Sequence, residues 1–300
     1  MIPIHGLRLR AVLIQALRTF FIDRGYLEVE TPIRIPAPAP EAHIVPITSE
    51  GWFLQTSPEL CMKRLLAAGI PKIFQICKCF RKGERGDRHL PEFTMLEWYA
   101  AKSDYRDLMA DCEALLRHLA VAMGKDGVLE WQGRRVDLGP AWERITVAEA
   151  FQRYAPCPVE EALAQDRFDE ILVEYVEPHL GMITPTFLCD YPAALGALAR
   201  LSPSDSTVAE RFELYVAGLE LANGFSELVD PVEQRTRFVA EQESIRMQGR
   251  DPGPMPEPFL DGLETMPSAA GIALGVERLV MLFGGADNID QVVTFTPEGL

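Results

Sequence analysis

Between Phe80 and Tyr99 the chain carries an arginine, a carboxylate, a phenol and a phenylalanine at spacings that let them converge. Two apolar-alternating runs, Ile73 to Arg81 and Phe93 to Tyr99, flank a loop of mostly charged residues. That pattern predicts two antiparallel strands with a long connection. Side chains alternate faces along a strand. Gln75, Cys77, Cys79 and Arg81 therefore share one face of the first, and Phe93, Met95, Glu97 and Tyr99 one face of the second. A sheet burying only hydrocarbon has no use for that set. It suits a small anionic ligand with a flat ring and an amine.

The chain contains neither GxxxxGK[ST] nor GxGxxG, so a bound nucleotide would lack both common glycine loops. Arginines must hold it instead. Arg81 closes the first strand, and Arg278 falls in the first turn of a helix after Gly275, where amide dipoles also favour anions. A guanidinium grips a phosphate bidentately and stabilises charge developing at the α-phosphorus. Gly275 would let the backbone approach a ligand closely. Alone, Arg278 would more often be an exposed helix charge; only in company with the other residues does it become a candidate.

A turn at Ala217-Gly218 would set Tyr215 opposite Glu220 and make Glu213 and Glu220 diagonal neighbours on one face. Hard oxygen ligands there suit magnesium shared with phosphates, although a solvated strand face would look the same. Glu227 follows Asn223-Gly224-Phe225-Ser226, and with Tyr99 and Glu97 it offers a seat for an ammonium group. Ser57 and Glu59 form a second polar cluster at a helix start; capping alone would account for Glu59.

The elements that must position these residues follow from periodicity and punctuation. Arg8 to Arg24 is a helix stopped by Gly25. Tyr26 to Pro32 is a short strand, and the prolines from Pro36 to Pro40 forbid regular structure. Ser57 caps a helix with Pro58 at its first position, running to Gly69. Asp104 to Met123 is a long amphipathic helix, and Gly127 to Leu138 a hairpin turning at Gln132-Gly133. Thr146 with Glu149 is a capping box. One helix is expected around Phe168 to Val176 and a strand over Thr186 to Cys189. Arg211 to Val216 and Leu219 to Asn223 pair as strands, and Val232 to Gln248 is a helix ending at Gly249. Pro252 to Pro258 is a loop, Ala269 to Leu274 a strand and Val276 to Phe283 a helix. No linker or repeat divides residues 1–300. The expectation is a single α+β domain built on an antiparallel sheet flanked by helices.

The net charge of −15 weighs against non-specific nucleic-acid binding, which rests on neutralising phosphates. No apolar run approaches the roughly 20 residues that span a bilayer, so no membrane association is expected, and Met1 to Leu9 has no signal-peptide pattern. The six cysteines include no CxxC pair and no zinc spacing. They read as free, mostly buried thiols of a reducing compartment, which places the chain in the cytoplasm.

Three segments together carry a resemblance. Gly25 to Pro32 resembles the first signature of class II aminoacyl-tRNA synthetases, Phe80 to Tyr99 the second, and Gly271 to Gly284 the third. Ser-Pro-Glu-Leu with Met-Lys-Arg-Leu at 57–65, Pro-Glu-Phe-Thr-Met at 91–95 and Glu-Leu-Ala-Asn-Gly-Phe-Ser-Glu-Leu at 220–228 are most similar to lysyl-tRNA synthetase catalytic domains. Those enzymes carry an amino-terminal OB-fold for the anticodon, for which a first-signature helix starting near Arg8 leaves no room. The resemblance therefore narrows to the stand-alone paralogues that ligate lysine or (R)-β-lysine to a lysine of elongation factor P, with no tRNA anticodon binding. Glu-Trp-Tyr at 97–99 and Gly-Ile-Ala-Leu-Gly at 271–275 also match them.

The resemblance implies ATP and Mg2+ as cofactors, and a homodimer built on the first-signature helix and strand. Arg81 would bind the α-phosphate and the substrate carboxylate, while Phe93 and Arg278 would sandwich the adenine. Glu213 and Glu220 would hold magnesium. Glu59 and Glu97 would take the amine nearer the carboxylate, Tyr99 and Glu227 the terminal ammonium, and Asn223 the carboxylate. Ser57, Pro58, Phe225 and Ala273 would complete that pocket; Ala273 stands where lysyl-tRNA synthetases have glycine. Lys82, Gly83, His89, Leu90, Leu221 and Gly275 would lie along ATP. Two departures stand out. The usual Phe-Arg-Asn-Glu is Phe80-Arg81-Lys82-Gly83-Glu84 here, so Glu84 replaces the glutamate one position on or that contact is lost. The usual asparagine before Pro91 is Leu90, which cannot hydrogen-bond ATP through its side chain. A truncated lysyl-tRNA synthetase and a non-catalytic lysine sensor are the alternatives.

Overall fold

The computed structural model describes residues 4–300; Met1 to Pro3, part of the amino-terminal segment considered above, lie outside it. Helix α1 (Ile4–Asp23) ends as expected before Gly25, whose φ of +75° suits a helix stop. A two-residue strand β1 (Leu27–Glu28) follows. A small three-stranded sheet comes next, from β2 (Arg34–Ile35), β3 (Ile47–Ser49) and β4 (Trp52–Leu54) in the order β2-β4-β3. Helix α2 (Glu59–Ala67) leads to β5 (Lys72–Phe80), β6 (Glu92–Ala101) and α3 (Tyr105–Ala122). The hairpin of β7 (Val128–Trp131) and β8 (Arg134–Asp137) precedes β9 (Glu143–Thr146) and α4 (Val147–Tyr154). Short helices α5 (Val159–Ala164) and α6 (Phe168–Ile171) continue through a π-helical turn over Leu172–Val176 into β10 (Thr186–Pro192). Then come β11 (Val208–Val216), β12 (Leu219–Ser226), α7 (Pro231–Met247), α8 (Glu257–Leu263), β13 (Ala269–Gly275) and α9 (Val276–Gly284).

Eight strands form the main sheet in the order β1-β5-β6-β13-β12-β11-β10-β9. Its six central strands are antiparallel, but β1 joins β5 and β9 joins β10 in parallel. The expected antiparallel sheet is therefore mixed at its edges, within an α+β architecture. Strand alternation sorts the two faces. Leu96, Trp98 and Ala100 of β6 bury against Phe20 and Phe21 of α1, Leu115 and Leu116 of α3, and Leu279 and Leu282 of α9. The intervening Met95, Glu97 and Tyr99 point the other way, into a cavity.

Several elements differ from expectation for local reasons. The segment Tyr26 to Pro32 keeps only two paired residues. The single helix over 168–176 is α6 plus its π-turn, with α5 ahead of it. Helix α8 begins inside the proline-rich run, because proline is tolerated in a first helical turn. Pro58 is the residue before α2 rather than its first helical one, although Ser57 Oγ still accepts the Glu59 N–H at 3.0 Å. All six cysteines are unpaired; Cys79, Cys112 and Cys189 are buried and the others partly so. Among the described residues no helix is long and apolar enough to cross a membrane.

Candidate active site

The register of β5 and β6 opposes Cys79 with Phe93, Cys77 with Met95 and Gln75 with Glu97, so the chemically equipped faces do adjoin. They floor a cavity of about 690 Å³, a size typical of small-molecule sites. Of the residues singled out above, Ser57, Glu59, Arg81, His89, Leu90, Phe93, Glu97 and Tyr99 line it. Glu220, Leu221, Asn223, Phe225, Ala273, Gly275 and Arg278 line it too. Pro58, Lys82, Gly83, Glu213 and Glu227 do not reach its wall.

One end of the cavity is acidic. Glu97, 1% exposed, accepts hydrogen bonds from Ser57 Oγ at 2.5 Å and from the Tyr99 hydroxyl at 2.7 Å. Burial, with Glu59 beside it, pushes its carboxyl up to about 7 despite those donors. Glu227 lies one layer behind, beneath Tyr99 and Gly271. Burial raises it to about 8 against the pull of a lysine that the sequence did not single out. That residue is Lys63, itself 1% exposed, with Nζ 2.5 Å from both Glu59 Oε1 and Glu227 Oε2. Burial works against its charge, but Glu227 and Glu59 outweigh it and the ammonium stays protonated. Glu227 Oε1 accepts no hydrogen bond. Three carboxylates thus face one internal cation, a surplus that matches a ligand with two ammonium groups.

Lys63 closes this end from below, so its loss leaves Glu59 and Glu227 without a counter-charge. Lys63→Met should cost about 3 kcal/mol of stability at neutral pH, the low end for breaking a buried pair, because Glu227 can take up a proton instead. Denaturant unfolding measures it. A change under about 1 kcal/mol would show the lysine to be dispensable.

The other end is basic. Arg81 Nε donates to the Thr56 carbonyl at 3.4 Å, its Nη1 lies 3.8 Å from Glu84, and its guanidinium sits 5.2 Å from the Phe93 ring centroid. Gly83, at φ +81°, turns the chain so that Glu84 returns to the cavity wall. Leu90 lines the cavity as an apolar surface. Arg278 is held on α9 by two bonds from Nη1 at 2.9 Å, to the Glu220 carbonyl and to Glu220 Oε2. Its Nη2 meets His89 Nε2 at 2.7 Å. An arginine only donates, so that ring nitrogen accepts and the imidazole is neutral. Burial and Arg278 lower the His89 pKa in keeping.

At the wall between them, the bulge in β12 opposes Glu213 to Asn223 rather than Ala222, while Tyr215 faces Glu220. Glu213 accepts from Arg211 Nη2 at 2.6 Å and from the Tyr215 hydroxyl at 2.7 Å. Burial and Glu220 raise it, with Arg211 opposing. Burial works to raise Glu220 as well, but Arg278, Arg211 and Arg81 prevail and hold it below its ordinary value. Two like carboxylates side by side fit a divalent cation. With no group of three His, Cys, Asp or Glu gathered for a metal among the described residues, phosphate oxygens and water would have to complete its shell.

Sequence reasoning also missed Arg211, Glu177, whose Oε1 lies 3.1 Å from the Tyr215 hydroxyl, and Glu41 of the 36–46 loop. No period or motif distinguishes these from surface charges. Only Lys63 carried a signal, its step of four from Glu59 on α2.

Comparison with known proteins gives this cavity its relatives. The family described as tRNA synthetases class II (D, K and N) matches residues 5–298. A Klebsiella pneumoniae (strain 342) protein named elongation factor P--(R)-beta-lysine ligase is 39% identical over 313 residues, covering 99% of this chain and 96% of its own. Proteins of the same name from Enterobacter sp. (strain 638) and Salmonella arizonae are each 39% identical, covering 98% and 96% of this chain and 96% and 94% of theirs. The match runs through all three signature segments, and the chain belongs to the class II tRNA synthetases of the D, K and N group.

Proposed function

We propose that the chain uses ATP to activate lysine or (R)-β-lysine as an aminoacyl adenylate, and transfers it to the ε-amine of a lysine on elongation factor P. The observation that carries this reading is a single cavity with a carboxylate end for two ammonium groups and an arginine end for phosphate. The names of the relatives supply the protein acceptor.

In this reading Glu59 and Glu97 receive the amine nearer the carboxylate, Tyr99 and Glu227 position the terminal ammonium, and Asn223 and Arg81 hold the carboxylate. Arg81 keeps donors to spare for the α-phosphate, and its charge offsets what develops there as pyrophosphate leaves. Phe93 and Arg278 take the adenine between them. Magnesium, bound by Glu213 and Glu220, would neutralise the phosphates and orient them for attack by the amino-acid carboxylate. Catalysis is then mostly orientation and charge stabilisation, and no covalent enzyme intermediate is needed. Ala273 narrows the amino-acid end by one methyl relative to glycine.

The wider reading is one catalytic domain working in the cytoplasm without binding a tRNA anticodon, in line with a net charge of −15. It is a homodimer formed through α1 and β1. Leu7, Val12 and Ile22 of α1 and Leu27 of β1 are exposed apolar residues, the kind of surface that marks an interface.

The acidic end makes a prediction about pH. Glu97 near 7 and Glu227 near 8 hold protons in the free protein around neutrality, and a diammonium ligand favours their ionised forms. Lysine affinity should therefore rise several-fold from about pH 6 to about pH 8, with protons released on binding. The free protein shows the opposite sign, because its folded state binds these protons more tightly than the unfolded chain: its stability should fall as pH rises from the ordinary carboxylate range through these values. Titration calorimetry in two buffers of unequal ionisation enthalpy reads the protons; pH-independent affinity without release would contradict it. Lysine-dependent ATP–pyrophosphate exchange tests the activation step directly. Its absence with magnesium present would leave only a lysine-binding domain.

A further inference from the structure

The cavity holds a carboxylate for which activation has no use. Seven glutamates line it, and six have partners. Glu59 pairs with Lys63, Glu84 with Arg81, and Glu220 with Arg278. Glu97 accepts from Ser57 and Tyr99, Glu241 from the Ala42 N–H, and Glu277 from Arg10 and the Thr94 N–H. Of these seven, the Glu41 side chain alone has neither a hydrogen-bond nor an ion-pair partner among the described residues.

Its position is fixed nonetheless. The next residue, Ala42, donates its N–H to Glu241 Oε2 at 2.7 Å, and its carbonyl accepts from Arg250. Three residues further on, the Val45 carbonyl accepts the Lys82 N–H at 2.7 Å. The loop is thus tied to α7 on one side and to the turn after β5 on the other. Glu41 is presented to the cavity half-buried, from the covering loop and not from the sheet floor. The charged groups that act on it are Arg81 beyond β5, Glu59 of α2, Glu241 of α7 and Arg211 of β11. Of these, Arg81 belongs to the basic end and Glu59 to the acidic end, so in the proposed reading Glu41 stands over the stretch between them, where the activated carbonyl would lie.

Transfer presents a problem that activation does not. A lysine ε-amine, with an ordinary pKa of about 10.4, arrives as an ammonium and cannot attack until it loses a proton. We propose that Glu41 is the catalytic base of the transfer step, accepting that proton as the acceptor lysine enters. The freed lone pair then forms the C–N bond to the adenylate carbonyl. The C–O bond to the phosphate breaks, its electron pair leaves on AMP, and the amine's second proton passes to the departing phosphate. Burial lifts the Glu41 carboxyl to about 7, where a base is both ionised enough and basic enough to act near neutrality.

This inference rests on the adenylate-forming reading above, so its test measures the two half-reactions separately. In Glu41→Gln, single-turnover transfer from the preformed adenylate should fall about 100-fold, as for loss of a general base, and far more than ATP–pyrophosphate exchange does. The remaining transfer should climb with pH where the wild type levels off above about 7, and Glu41→Asp should recover part of the rate. Equal loss in both half-reactions, or transfer unchanged, overturns the proposal. Elongation factor P and Nα-acetyl-lysine amide serve as parallel acceptors. Loss of transfer with either in Glu41→Gln supports the base. A wild type that modifies the small amine but not the factor would overturn the acceptor and still decide the role of Glu41.

Discussion

Arg81→Ala lowers lysine-dependent ATP–pyrophosphate exchange by about 100- to 1,000-fold, the scale for removing one preorganised donor from a developing charge. Arg81 makes one long bond to Thr56 and a 3.8 Å approach to Glu84, so most of its donors face the cavity uncommitted. Those contacts are weak, and the fold should lose less than about 1 kcal/mol. Arg81→Lys should recover little of the rate, because a point charge cannot reproduce a planar, bidentate fork or lie over Phe93 in the same way. Exchange kinetics with a parallel melting curve separate the effects. A variant with full exchange would remove Arg81 from the phosphate end.

Gly271→Ala should disable amino-acid recognition while sparing ATP. A Cβ at this position would fall 2.1 Å from Tyr99 Cε1 and 2.4 Å from Glu227 Oε1. Tyr99 is the direct cross-strand partner of Gly271, and its hydroxyl is fixed on Glu97. Neither neighbour can yield without leaving its place at the acidic end. The demand is purely steric, since the Gly271 backbone is not in the left-handed region. Losing one hydrogen bond to a charged group corresponds to about 1.5–3 kcal/mol, so the KM for lysine should rise about 10- to 150-fold. Overpacking should cost a further ~1–3 kcal/mol of stability. Steady-state exchange with each substrate varied in turn checks the split. Equal rises in both KM values would point to general damage to the sheet.

The parts of this site visible in the sequence were those with a period or a punctuation mark. Alternation alone placed Phe93, Glu97 and Arg81 on adjoining faces, because a pleated strand leaves only two choices. The turn at Ala217-Gly218 set Tyr215 against Glu220, and Thr146 announced α4 through its capping box. The bulge that moves Glu213 opposite Asn223 left no such mark, being decided by how β11 and β12 pack. Strands β2 and β3 were equally silent, since two or three residues are held by their partners and not by propensity. Glu41 was missed for a deeper reason, and so was the burial of Lys63, whose step of four from Glu59 suggested only a pair. A charge that ends up buried looks, in one dimension, like a charge that stays in water.

The central claim is the transfer of an activated lysine to a protein, and mass spectrometry of elongation factor P tests it most directly. Purified factor would be incubated with this protein, ATP, magnesium, and either lysine or (R)-β-lysine. One lysyl or β-lysyl residue is expected on a single lysine side chain, dependent on ATP and lost in Arg81→Ala. An unmodified factor, with tRNA aminoacylated in its place, would contradict it.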